Sequence, residues 1–147
     1  MKKFISTALL AFMLASSFAQ SKKDSIDIIT LLEKEAATWR SGDVKAHADC
    51  WYIRPYSRIL ISTIDNGVID VPPSLIVIPS TDMVGKGGKA IISNVKMGIT
   101  GKTGWVSHDE ESISATGTST FTYEVRLLEK INRKWRLVGQ SVHTYKK

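Results

Sequence analysis

Cysteine is almost missing from this 147-residue chain: Cys50 stands alone, so no internal disulfide is available and packing must hold the fold. A thiol of this kind is read as a small buried hydrophobe on a helix. No run of like charge occurs. The basic residues are scattered, densest at Lys130, Arg133, Lys134 and Arg136 and at Lys146 and Lys147. Without aromatic residues interleaved among them they describe a solvated turn and a frayed tail, which argues against nucleic acid as a partner. Histidine is scarce as well. His47 and Cys50 are spaced i, i+3 but lack a second ligand pair, and His108 and His143 stand alone in sequence, so neither a metal nor a cofactor is expected. The stretch Gly85, Lys86, Gly87, Gly88, Lys89 lacks the strand, spacing and hydroxyl of a P-loop, and no serine sits in a nucleophile elbow. Repeats and low-complexity segments are absent.

Long hydrophobic runs are absent after the first residues. Lys2 and Lys3, the apolar run of residues 4–14 and the small residues ending Ser17, Phe18, Ala19 have the layout of a signal peptide, with cleavage expected after Ala19. That run falls short of the roughly 20 residues a membrane helix needs. No cysteine follows the cleavage site, so no lipid anchor is expected. The reading is of an exported protein, periplasmic or secreted, with residues 1–19 removed and residues 20–147 forming a single domain. Loss of Lys2 and Lys3 leaves 18 basic against 14 acidic residues, a mild excess of +4.

Within residues 20–147, Ile28, Ile29, Leu31, Leu32, Ala36 and Trp39 recur at helical spacing, and Gly42 stops that helix. Asp43 is placed to cap a second helix over residues 44–51, closed by Pro55. Residues 58–63 and 68–71 read as a hairpin about Asp65, Asn66, Gly67. Pro72 and Pro73 interrupt pairing, so residues 74–78 are expected as an edge strand or surface loop. A short helix is expected over residues 89–95, and strands over 95–99, 105–113, 118–130 and 135–145. Alternation suggests that Phe121, Tyr123, Val125 and Leu127, with Trp135 and Leu137, form one buried face. Helices first and a meander last define an α+β class.

Two phrases sharpen this. A first helix ending Trp39, Arg40, Ser41, Gly42, Asp43, and a final hairpin running Glu124, Val125, Arg126, Leu127, Leu128, Glu129, Lys130 and then Lys134, Trp135, Arg136, Leu137, Val138, together resemble the nuclear transport factor 2-like (SnoaL-like) superfamily. The resemblance covers nearly all of residues 20–147. It implies a cone: a curved antiparallel sheet wrapped around the N-terminal helices, the cystatin-like roll, with one pocket and a homodimer through the outer sheet face. One departure is visible. Many members carry a histidine six residues after the tryptophan and a small hydroxyl residue two further on, whereas here Ser141 takes the first place and His143 the second. His143 shares the parity of Trp135, and on that ground is expected to face the cavity.

Candidate residues follow from this frame. Trp39, Trp51, Tyr56, Arg58, Trp105, Glu124, Arg126 and His143 are expected to line or rim a ligand pocket, since aromatic faces bury large area with a polar edge for orientation. Glu124 and Arg126, two apart on one strand, also fit a structural ion pair at the rim. His143 and Asp109 are the candidate general bases. Residues 70–79 are longer than a minimal member needs and suggest a lid. The leading expectation is non-catalytic binding of a small, partly apolar molecule. A cofactor-free isomerase, dehydratase or cyclase of SnoaL or ketosteroid isomerase type, and a structural or interaction module, are the alternatives.

Overall fold

The computed structural model describes the side chains of residues 22–147, and the signal-peptide reading of residues 1–19, with cleavage after Ala19, lies outside them. Helix α1 (Lys2–Ser41) is followed by α2 (Val44–Ala48), the hairpin β1 (Ile59–Thr63) and β2 (Gly67–Val71), a short helix α3 (Pro73–Val77), and four long strands. These are β3 (Lys89–Thr100), β4 (Thr103–Ile113), β5 (Ser119–Ile131) and β6 (Lys134–Tyr145). All the strands join one sheet in the order β2-β1-β6-β5-β4-β3, in which the pairs are antiparallel except β1 with β6, which is parallel. Among the described residues no helix is long and apolar enough to cross a membrane.

The corner between the first two helices forms as its residues dictate. Gly42 takes φ +75, and the amides of Gly42 and Asp43 return to the carbonyls of Trp39 and Thr38 at 3.3 and 3.1 Å. The Asp43 carboxylate then accepts the Ala46 amide at 2.9 Å, satisfying a free donor at the start of α2. This corner turns α1 so that Ile28, Leu31 and Leu32, spaced i, i+3, i+4, pack against Val106, Leu128, Trp135 and Leu137. Each such side chain, fully buried, contributes about 1.5–3 kcal/mol. Asp24 fastens the same helix near residue 22, accepting from Trp135 Nε1 at 3.1 Å and from Lys130 Nζ.

Several expectations change. Helix α2 stops at Ala48, so Cys50 lies in the turn after it, and Trp51 instead bridges to Leu137 of β6. Residues 74–78 are not a strand: Pro72 precedes the first turn of α3 and Pro73 begins it, a place where proline's fixed φ and missing amide do no harm. Residues 89–95 are not a helix either. Ile91, Ile92 and Val95 are β-branched, and β3 pairs with β4 from Lys89↔Ile113 to Thr100↔Thr103, with a bulge between Ser93 and Lys96 where Asn94 takes φ +52.

The largest correction concerns the faces of β5. Tyr123, Val125 and Leu127 are 54, 39 and 50 % exposed, while Thr122, Glu124, Arg126 and Leu128 point inward and are buried. The apolar series therefore coats the outside of the sheet, and the charged series faces the helices.

Cys50 is fully buried, with its thiol donating to the Ala46 carbonyl at 3.4 Å, and burial pushes its pKa up to about 11. At pH 8 the folded protein is expected to leave a thiol reagent such as DTNB unreacted, and the urea-unfolded chain to react at once. Rapid reaction of the native protein would contradict this burial. A raised thiol pKa favours the folded state below the unfolded thiol's range, and this stability is lost as pH climbs toward 11.

Candidate functional site

The concave side of the sheet and the facing helix enclose a cavity of about 460 Å³. One helical stripe of α1 supplies Glu35, Ala36, Trp39 and Arg40, residues spaced i and i+4 on a single face. Period-two alternation brings in Glu110 and Ser112 from β4 and Thr122, Glu124 and Arg126 from β5, and Gln140 and Val142 come from β6. Ile61, Ile76 and Val84 complete an apolar wall, with Met83, Lys86 and Gly87 from the loop before β3. Ile76 belongs to α3, within the segment expected as a lid.

Charge gathers at one end of this space. Arg126, 6 % exposed, donates to Glu124 and to Gln140, and its Nη2 lies 3.6 Å from Glu35. Glu124 also accepts from the Thr122 hydroxyl at 2.9 Å, and His108 Nε2 stands 3.8 Å from Glu124 Oε2. Arg40 donates to Glu110 at 2.8 Å and to Ser112 at 2.7 Å. His47, wholly buried, lies 3.8 Å from Glu35 and bonds the Ile76 carbonyl at 3.0 Å. Its Nδ1 faces a second carbonyl, that of Glu35, at 3.3 Å, so backbone oxygens hold both ring nitrogens in place.

These neighbours move the acid–base behaviour apart. Burial and then the charge of Glu124 raise the Glu110 carboxyl above its ordinary range, against the pull of Arg40. Burial also opposes ionisation of Glu124, but the Arg126 charge and the hydrogen bonds from Thr122 and Arg126 outweigh it, and its carboxyl sits below the ordinary range. Burial lowers His108, more than Glu124 raises it, so the imidazole is held neutral. Arg126 stays charged: Glu124, Glu35 and Glu110 overcome its burial.

Of the residues expected at the site, the fold brings Trp39, Glu124 and Arg126 to the cavity. Glu124 and Arg126 sit in its interior rather than at its rim. The others stand elsewhere. Trp51 packs in the core, Tyr56 is 66 % exposed and bonds Glu129, and Arg58 pairs with Asp70 at 2.8 Å. Trp105 and Asp109 lie on the outer face of β4, between the inward Val106, His108 and Glu110, and Asp109 accepts from Asn94 there. His143 is exposed and bonds Ser141 at 2.7 Å. Its parity with Trp135 is broken by a bulge: Leu127 pairs with Gly139 but Leu128 with Leu137, so Val138 is an extra residue that turns the rest of β6 over. Glu35, Arg40, His47, His108, Glu110 and Gln140 do not stand out as a set in the sequence. The available signal was a pair of charged doublets at i, i+2, His108 with Glu110 and Glu124 with Arg126, on strands that the register places side by side.

No family model matches the chain, and no curated protein matches it. Solved structures do. A candidate dehydratase of the NTF2-like family from Streptomyces avermitilis superposes with a TM-score of 0.67 at 10% identity, covering 86% of this chain and 99% of that one. An NTF2-like protein with a cystatin-like fold from Novosphingobium aromaticivorans gives 0.66 at 12% identity, covering 90% and 88%. A cystatin-like protein of unknown function from Nostoc punctiforme gives 0.64 at 14%, covering 84% and 92%. The chain has the nuclear transport factor 2-like fold.

Proposed function

We propose that the protein, after export to the periplasm or beyond, holds one small, partly apolar molecule in its cone. The observation that carries this reading is the contrast inside the cavity: an apolar wall of Trp39, Ile61, Ile76, Val84 and Val142 faces buried, oriented polar groups on Glu110, Glu124, Arg126 and Gln140. Such a division suits a ligand with an apolar body and a polar end. The exposed apolar residues of the outer face, Trp105, Tyr123, Val125 and Leu127, support pairing with a second copy.

Native mass spectrometry of protein purified from its own host tests both points. The expected spectrum shows a dimer carrying a small molecule. Val142→Trp, which fills the cavity, is expected to lose the added mass, and Leu127→Glu to leave monomers. A native chain with no added mass, or a Val142→Trp chain that retains it, would count against the cone as the binding place.

Glu110 favours a second reading, a cofactor-free isomerase, dehydratase or cyclase, because its carboxyl group lies between an apolar wall and a second carboxylate. Under that reading Glu110→Gln abolishes turnover while leaving ligand affinity nearly unchanged. Loss of affinity without any turnover in the parent protein points back to binding.

A further inference from the structure

We propose that His108, Glu110 and Glu124 form a site for one divalent transition-metal ion at the charged end of the cone. One ligand atom from each of the three lies within 4.8 Å of the other two, and all three residues are buried. The pleat makes the set: His108 and Glu110 are two apart on β4, and His108 pairs directly with Glu124 on β5.

His108 supplies an independent observation. Its Nδ1 faces the Asp109 carbonyl at 3.4 Å, and because a carbonyl only accepts, the proton belongs on Nδ1. The lone pair is then on Nε2, which is buried without a hydrogen-bond partner and stands 3.8 Å from a carboxylate oxygen of Glu124. Two electron-pair donors facing each other in a dry interior repel, and a shared cation removes that repulsion.

The arginines fit as supports for the ligands. Arg40 holds one oxygen of Glu110, at 2.8 Å, and Arg126 with Thr122 holds Glu124, the kind of outer hydrogen bonding that orients metal-binding carboxylates. Charge agrees in sign. The formal charges of Glu35, Glu110 and Glu124 against those of Arg40 and Arg126 leave one negative charge to be balanced. An imidazole nitrogen with two carboxylate oxygens suits Zn²⁺, Fe²⁺ or Mn²⁺ better than Ca²⁺ or Mg²⁺, which favour oxygen throughout. A cation held there occupies Glu110 and so disfavours the cofactor-free reading, while leaving the binding reading intact.

Chelator-treated full-length protein titrated with Zn²⁺ alone in a calorimeter tests the site. Saturation at one ion per chain is expected. Loss of an outer support already weakens such sites by about 10–100-fold, so His108→Ala and Glu110→Gln are each expected to weaken Zn²⁺ by more than about 100-fold, with His143→Ala unchanged. Circular dichroism reports whether each variant folds, and the near-isosteric Glu110→Gln decides the matter if His108→Ala does not. Absence of stoichiometric binding, equal affinity in Glu110→Gln, or loss in His143→Ala would each overturn the proposal.

Discussion

Replacing Arg126 by methionine is expected to remove about 3–5 kcal/mol of stability, a large share of the roughly 5–15 kcal/mol that holds a domain folded. The reason lies less in the lost contacts than in what remains. Glu124 and Glu35, 5 and 6 % exposed, would keep their carboxylates in the interior without the guanidinium that compensates them, and Gln140 would lose its donor. Urea denaturation followed by far-UV circular dichroism measures the loss. The double variant Arg126→Met, Glu124→Leu is expected to recover more than half of it, because the largest unpaired charge leaves with its partner. A double variant no more stable than the single one would show that the guanidinium acts through packing alone.

Leu137→Ala is expected to cost about 2–5 kcal/mol, the range for emptying a sealed leucine site. Leu137 is fully buried, and its backbone ties the segment after α2 to β6 through Leu137 N–H to Cys50 O and Tyr52 N–H to Leu137 O, each 2.9 Å. The neighbouring elements are thus fixed and cannot collapse into the space. Leu127→Ala supplies the contrast: that side chain is 50 % exposed, and its truncation is expected to shift monomer stability by less than about 1 kcal/mol. Denaturation curves of the two variants compare them directly. If Leu127 proved the costlier residue, the assignment of inner and outer faces would be reversed.

That assignment is also where reading from residues alone fell short. Local signals carried well: Gly42 with Asp43 set the helix corner, Asp65 to Gly67 the hairpin, and Asn132 with Arg133, both at positive φ, the last turn. Each depends on a backbone conformation that few residues tolerate. Period-two alternation on β5 likewise announced two unlike faces, but parity has no direction. The apolar set Tyr123, Val125, Leu127 looked like a core, whereas the inner positions hold Glu124 and Arg126, which become tolerable inside only with Glu35 from α1 and Gln140 from β6. No single stretch of chain shows that compensation. The extra residue at Val138 was equally silent, and it sent His143 outward and Gln140 inward. Residues 89–95 failed for another reason: glycines before a short mixed segment read as a weak helix start, while pairing from Lys89↔Ile113 to Ser93↔Asp109, sixteen or more positions along the chain, decided otherwise.

The bulge in β3 has a consequence for how copies of this chain can meet. As one of the two edge strands of the sheet, opposite β2, β3 offers unpaired backbone groups along its far side, a template on which another chain can grow. The kink after Ser93 cuts that template into two stretches of five paired residues, Lys89 to Ser93 and Lys96 to Thr100, each opening with a lysine. Fibre-like addition through this border is therefore discouraged by both interrupted spacing and charge, so the pairing proposed above through the back of the sheet meets little competition from β3.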